Sequence, residues 1–317
     1  MNRRTFLGTG LGLAVGAGLT TTARAQMVPW DSEEPFVFKK PTCPVIDARL
    51  RPRWGEFLKT FPAAKSGSAY ARTGWTMPPS VAKESEELML KEMDEAGITM
   101  GLAMKRNIPN ESLVKMQEHF NGRIRSLCTL DASDPIDKNM ELVEKYAVNG
   151  PLKGVYIEPG RAKVSTMPND PKLYPVYDLC AEKGLTVAIM TGGNNSPNLI
   201  RSTDHAAVAD IAAAFPKCKF YMAHGGWPHV QEILGVCYWY PNVYLAGDMY
   251  MFGGVPGWRE YVDAANGFLQ DRFLFGSAYP LLPFKETVGR YEKLIPNRAV
   301  YEKVMYKNAQ ALFGIEL

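Results

Sequence analysis

From Val45 onward, short runs rich in Val, Ile, Phe and Tyr alternate with longer runs whose apolar residues recur at helical spacing. That alternation is the signature of successive βα units. The short runs predict eight strands, at residues 45–50, 99–104, 124–130, 154–157, 186–190, 220–223, 243–245 and 273–275. The longer runs predict helices at 85–96, 111–120, 136–148, 171–183, 204–215, 228–238, 257–268 and 284–294, with a ninth at 298–313. Start and stop signals agree: Asn110 and Thr203 are placed to cap N-termini, Asp134 precedes a proline near a first turn, and Gly97, Gly122, Gly150 and Gly184 stand at or past C-termini. Eight such units without a break in composition predict one (β/α)8 barrel of the α/β class, which carries its chemistry at the C-terminal ends of the strands. The one long connection, 52–82, holds Trp54, Phe57, Phe61, Tyr70 and Trp75. Two readings stand for it: a lid or binding wall, or a packed edge or oligomer contact.

Charge changes the picture only at the start of the chain. The sequence has 317 residues, 36 Lys and Arg against 33 Asp and Glu, and a mean hydropathy of -0.18. Arg3, Arg4 and Arg24 all lie in residues 1–25, which contain no acidic residue, so residues 26–317 carry 33 charges of each sign. A neutral domain has no electrostatic footprint for nucleic acid or an anionic membrane, whose binding depends on clustered Lys and Arg. Residues 1–25 read as a leader: Arg3-Arg4-Thr5-Phe6-Leu7, a weakly apolar run broken repeatedly by glycine, and Ala23-Arg24-Ala25. Paired arginines before Phe-Leu resemble a twin-arginine signal, which predicts cleavage after Ala25, passage through the twin-arginine export machinery, a periplasmic or secreted product, and no membrane anchor afterwards. Residues 26–317 then form the single folded domain.

Cys43, Cys128, Cys180, Cys218 and Cys237 are widely spaced and form no C-x-x-C pair. Three of them sit within apolar runs, where cysteine acts as a small buried hydrophobe.

The strand ends carry the candidate chemistry. In order they present Asp47-Ala-Arg49-Leu-Arg51, Lys105-Arg106, Asp131, Glu158-Pro-Gly160, Met190-Thr-Gly-Gly193, His224-Gly-Gly226, Gly247-Asp-Met-Tyr250 and Gly276-Ser-Ala-Tyr-Pro280. With Val45-Ile-Asp, Leu152-Lys-Gly-Val, Asp170-Pro-Lys-Leu-Tyr-Pro-Val-Tyr177, Tyr240-Pro-Asn-Val-Tyr244, Asp271-Arg-Phe-Leu-Phe-Gly-Ser277 and Asn308-Ala-Gln-Ala-Leu-Phe313, this order resembles the amidohydrolase-related metal-dependent hydrolases. The similarity is to the branch that contains aminocarboxymuconate-semialdehyde decarboxylase and benzoate-type decarboxylases. The resemblance implies a metal held by Asp-x-His-x-His on the first strand, a His on the fifth and an Asp after Gly-Ser on the eighth, with a sixth-strand His that polarises substrate or water. Here the first-strand positions are Arg49 and Arg51, the fifth-strand position is Met190, and the eighth is Ala278; His224 alone remains. Guanidinium repels a divalent ion, alanine offers no donor and a thioether is too soft for zinc, so no metal and no other cofactor is expected. His119, His205 and His229 read as surface or capping residues.

Arg49 and Arg51 are two residues apart and share one strand face, which the resemblance turns into the barrel mouth. Internal salt bridges to Asp131, Glu158 or Asp248 and a bidentate clamp on a substrate carboxylate are both open to them. His224 is a candidate general base or acid, with Asp248 or Glu158 orienting it. Lys105, Arg106, Thr191, Tyr250 and Ser277 are candidate substrate contacts, as are Trp54 and Trp75 from the long connection. Three functions compete: a metal-independent hydrolase or carbon–carbon lyase for a small carboxylated, perhaps aromatic, compound; a non-catalytic descendant that binds such a compound or a partner; and a hydrolase with a metal rebuilt on Glu158, His224 and Asp248.

Overall fold

The computed structural model describes residues 37–192, 204–251 and 255–317. The expected leader with Arg3 and Arg4, and the cap expected at Thr203, lie outside the described residues. The strands are β1 (Ile46–Leu50), β2 (Met100–Ala103), β3 (Ile124–Ser126), β4 (Cys128–Leu130), β5 (Gly154–Ile157), β6 (Thr186–Met190), β7 (Lys219–Ala223) and β8 (Val243–Ala246). All pair in parallel, β1-β2-β3 in one sheet and β4-β5-β6-β7-β8 in the other. The architecture is the (β/α)8 barrel.

Two strand expectations need correction. The third, at 124–130, is two strands broken at Leu127: its first half pairs with β2 and its second with β5. The eighth, at 273–275, forms no regular ladder, only a bridge from Phe273 to Leu245. It nevertheless joins both flanks, since Leu274 N–H donates to Leu245 at 2.9 Å and Ala48 N–H donates to Phe275 at 2.9 Å.

Side chains alternate across the barrel wall with period two. Met100, Leu102, Met104, Leu127, Tyr156, Ala188, Met190, Tyr221, Ala223, Ala246 and Leu274 pack together inside. Their neighbours Ala103, Cys128, Val155, Ile157, Val187, Ile189, Phe220, Met222, Val243, Leu245 and Phe273 pack outward against the helices. Burial on both faces explains why the strands read as unbroken apolar runs. Leu312 and Phe313, from the helix Asn308–Phe313, join the inner cluster, where Thr186 Oγ1 donates to Leu312 at 2.7 Å and the Phe313 ring meets Tyr221 edge-on at 5.8 Å. Thr186 opens β6, so these contacts close the N-terminal end of the barrel and leave the C-terminal end as the mouth.

The helices follow the sequence pattern with local changes. Asn110 is not a cap; its side chain ties to β4, donating to Thr129 O at 3.1 Å and accepting from Thr129 N–H at 2.7 Å. The helices predicted at 136–148 and 298–313 each contain a π segment, Glu144–Val148 and Lys303–Lys307. The long connection folds into helices Gly55–Thr60, Ala63–Thr73 and Pro79–Ala82. It packs on the last strand end: Tyr70 OH donates to Pro280 O at 3.1 Å, and Ser80 Oγ lies 2.8 Å from Tyr279 OH. All five cysteines are free, four of them buried.

Candidate functional site

The direction of the two arginines is set by a β-bulge. Ile46 and Asp47 pair with Met100 and Gly101, but Leu50 pairs with Ala103, so β1 carries one extra residue between Asp47 and Leu50. Ile46 and Ala48 belong to the inner cluster, whereas Leu50 belongs to the outer one. The extra residue therefore turns Arg49 inward directly after inward Ala48, and the Arg49 guanidinium carbon lies 5.8 Å from the centre of the inner Tyr156 ring.

Arg49 is 0% exposed and Arg51 6%. Arg49 Nη1 donates to Met104 O at 2.5 Å, while Nε and Nη2 have no hydrogen-bond partner among the described residues. Nε and Nη2 form one edge of the guanidinium, the edge that matches a carboxylate with two parallel N–H bonds. Arg51 Nε and Nη1 are likewise buried without partners, and its guanidinium lies 5.0 Å from the Phe61 ring of the long connection. Burial, then the charge of Arg49, draws the Arg51 guanidinium down to about 9, so it is still a cation at neutral pH. The salt bridges open to these arginines in the sequence are not made among the described residues. Asp131 instead accepts from Ser133 and Lys163 N–H, and Glu158 pairs with Arg106 at 2.8 Å.

Glu158 is a fixed anion. Burial alone would raise its carboxyl, but Lys105 and Arg106, the Tyr156 hydroxyl that donates to Oε1, and Arg49 hold it at about 2. It cannot exchange protons near neutrality, which removes it from the acid/base candidates and leaves an electrostatic role. Lys105 acts on the same carboxylate, and among the described residues its ammonium makes no ion pair. Beside the mouth a cleft of about 420 Å³ is lined by Arg106, Asp131, Glu158, Arg161 and Lys163 among others.

His224 and Asp248 stand together at the ends of β7 and β8. Asp248 Oδ2 accepts from the His224 backbone N–H at 3.0 Å and lies 2.9 Å from His224 Nδ1, close but off the line of a ring N–H bond. Asp248, not Glu158, is thus the residue placed to orient the imidazole. Burial, against the pull of Asp248 and with that of Arg49 and Arg51, lowers the His224 pKa, so the ring is neutral at pH 7. Both residues adopt left-handed φ, 68° and 47°, as does Ala278 at 57°. Three non-glycine residues in this region at strand ends mark backbone held in a costly shape. Two glycines make the packing possible: a Cβ on Gly192 would stand 2.2 Å from His224 Cβ, and one on Gly276 2.0 Å from Asp248 Oδ1.

The other expected contacts divide. Tyr250 is at the site, edge-on to His224 at 5.8 Å and stacked on Trp227 at 4.9 Å. Thr191 and Ser277 are spent on the scaffold. Thr191 Oγ1 donates to Ala223 O and accepts from Gly226 N–H, both at 3.1 Å, while Ser277 donates to Asp47 and accepts from Tyr279 N–H at 2.9 Å. Trp54 packs on His119 and Phe120, at 5.5 and 6.2 Å, and Trp75 lies under Arg290, 4.2 Å away. Neither is placed against the arginine pair. Sequence reasoning missed Tyr156, and it named Phe61 and Asp47 only as part of the long connection and of the first strand-end motif, without a role of their own. Asp47 accepts from Ser277 and Arg49 N–H at 2.9 and 3.0 Å, and burial pushes its carboxyl up to about 7.

The residues present do not fit a divalent metal at this place. Two guanidiniums line it, Met190 and Ala278 supply no hard donor, and among the described residues His224 and Asp248 are the donors in contact there. Among the described residues no three His, Cys, Asp or Glu side chains are grouped to hold an ion.

Residues 46–315 match the family model described as Amidohydrolase. An uncharacterised TIM-barrel protein of Bordetella bronchiseptica, Bb4693, is 31% identical with a TM-score of 0.80, over 86% of this chain and 98% of its own. The 5-carboxyvanillate decarboxylase LigW of Sphingomonas paucimobilis superposes with a TM-score of 0.61 at 14% identity, over 87% of this chain and 100% of its own. A probable 2-pyrone-4,6-dicarboxylic acid hydrolase of Acinetobacter baumannii, solved with citric acid bound, gives 0.58 at 11%, over 87% and 100%. No curated protein matches the chain.

Proposed function

The chain belongs to the amidohydrolase family, and from that premise we propose that it is an exported hydrolase or carbon–carbon lyase for a small carboxylated compound, working with guanidiniums where the family resemblance implies a metal. One observation carries this reading: four buried guanidinium nitrogens on Arg49 and Arg51 lack partners, two of them along a single bidentate edge. Buried charge without a partner is costly, and a carboxylate entering the mouth supplies the missing acceptors. The fold neighbours named for decarboxylation and hydrolysis of carboxylated compounds agree with that ligand class.

In this reading Arg51, the more exposed of the pair, meets the carboxylate first and Arg49 lies behind it. His224, neutral and steadied by Asp248, moves the proton, and the arginines stabilise negative charge on an enolate or oxyanion as it develops. Tyr250 and Phe61 supply apolar walls suited to a planar ligand.

The test is calorimetry with benzoate-class acids and their matched amides, followed by mass spectrometry of the incubated acids. Acids binding clearly better than amides, with a new product, support the proposal. Equal affinity for acid and amide removes the carboxylate clamp, and acid-selective binding without product assigns the barrel to ligand binding alone.

A further inference from the structure

The helix Val230–Trp239 runs from the mouth to the closed end of the barrel, where a short turn leads into β8. Its outward face ends in Tyr238 and Trp239, which are 63% and 76% exposed. Phe268, in the turn after the helix Trp258–Asn266, is 46% exposed beside them. Tyr238 stands edge-on to both, its ring 5.6 Å from Trp239 and 5.5 Å from Phe268. The backbone beneath the rings is pinned: Arg272 Nη1 donates to the carbonyls of Cys237, Tyr240 and Val243 at 2.8, 3.1 and 2.8 Å, and Leu269 N–H donates to Ala264 at 2.9 Å. Aromatic side chains carry about 150 to 250 Å² each, so these three leave about 400 Å² bare, roughly half of what one partner gives to a standard interface. Gly235 lies one turn earlier on the same face and is exposed. Glycine inside a helix weakens it relative to alanine, yet a Cβ here would meet nothing within 4 Å among the described residues. No contact among the described residues calls for glycine at this place.

We propose that this face pairs two copies of the chain about a twofold axis, with Trp239 of each copy lying over Gly235 of the other. A twofold contact is self-complementary: if residue 239 meets residue 235, then residue 235 meets residue 239. One face that carries both a protruding ring and, four residues before it, bare backbone satisfies that condition without any other partner. With the axis perpendicular to the helix and level with residue 237, the two helices run antiparallel, and Tyr238 of each copy faces the ring cluster of the other. Large rings on a fixed backbone lose little freedom when covered, which is what the anchor residues of interfaces have in common. The charges next to Phe268 are taken within the chain, since Asp271 pairs with Lys303 at 2.7 Å and Arg272 holds the carbonyls above. Residues 26–317 carry equal numbers of both signs, so no net repulsion opposes the pairing. The antiparallel arrangement points the two mouths in opposite directions and leaves both open, so the pairing does not depend on the carboxylate reading above.

Sedimentation equilibrium of the purified protein tests this across about 1 to 100 μM, the weak end of the range for interfaces of standard size. The expected mass is that of two chains. Trp239→Ser should raise the dissociation constant at least about a hundredfold, because the symmetric contact loses the ring twice. Gly235→Gln places a good helix former where the single chain has open space, and it fills the seat of the incoming ring. It should separate the copies at least about tenfold more readily without lowering the urea midpoint of the single chain. This second variant decides the matter if Trp239→Ser fails to fold. A single-chain mass across the whole range overturns the proposal and leaves the rings to a partner of another kind. A two-chain mass that survives Gly235→Gln unchanged also overturns it, because Trp239 then does not lie over residue 235 and the copies meet elsewhere.

Discussion

Replacing Arg51 by methionine should make the protein more stable and a poorer binder at once. Arg51 is buried, its Nε and Nη1 have no partner among the described residues, and its guanidinium lies 5.0 Å from the Phe61 ring. Methionine of similar length keeps the apolar contact and removes a charge whose burial, in like-charge company with Arg49, has little to offset it. Substituting buried charged groups by well-packed apolar ones is commonly neutral or stabilising, and here a gain of about 1 to 3 kcal/mol is expected. Binding moves the other way. Each lost charged hydrogen bond to a carboxylate costs about 1.5 to 3 kcal/mol, or roughly 10- to 150-fold in affinity. Urea denaturation reads the first sign, with an unchanged slope showing that the unfolded state is not what changed; calorimetry with an acid and its amide reads the second. A variant that loses stability while keeping its preference for the acid would refute the reasoning, because Arg51 would then be structural.

Three further outcomes follow from the geometry and the sequence. The Asp47 carboxyl is raised to about 7, so its contribution to stability is full below its ordinary value near 4 and is lost as pH rises through 7; urea midpoints at pH 5 and 8 should show wild-type stability falling relative to Asp47→Asn as pH rises. Glu158, held at about 2, exerts the opposite dependence only below its ordinary value near 4.5, outside that window. Gly276→Ala drives a methyl against Asp248 Oδ1 and Arg49 Cβ, which should cost about 1 to 3 kcal/mol in denaturation and weaken acid binding together; unchanged values in both would show that the pair moves freely. Lysine at both Arg3 and Arg4 should strand the precursor in the cytoplasm, since the export pathway reads guanidinium and not charge alone; fractionation and intact mass check this, and undiminished export would point to another route.

The barrel was legible because both faces of each strand are buried, which writes it as an apolar run between helical periods. Inward residues such as Tyr156 and Tyr221 and outward ones such as Val155 and Phe220 differ too little in polarity for the sequence to tell them apart. That is why nothing in the sequence singles out Tyr156, whose ring lies under Arg49 and whose hydroxyl donates to Glu158. The segment 273–275 looked like a strand because its apolar pattern is right; regular pairing also needs a register that a pattern does not reveal. Thr191 and Ser277 carry the polarity of substrate contacts, but whether a hydroxyl faces a ligand or its own backbone depends on the turn around it. Trp54 and Trp75 are candidate contacts because their long connection is rich in aromatics, but a side chain on a long loop has no direction that spacing can fix. His224, Asp248 and the arginine pair were found through the order of strand-end motifs, which places residues on a barrel that periodicity alone cannot orient.

The extra residue in β1 gives the mouth a tolerance to a kind of mutation that substitution scanning does not sample. Deleting one codon among those for Asp47, Ala48, Arg49 and Leu50 would remove the bulge and restore strict alternation to the rest of the strand. With Asp47 or Ala48 removed in this way, Leu50 still stands opposite Ala103 and faces the helices, and Arg49 and Arg51 still face the opening, whereas the same deletion in a regular strand would turn every later side chain over. Counting straight along the chain from Ile46 would instead put Leu50 inside, so inherited ligand positions on this strand are best compared by the direction of their side chains.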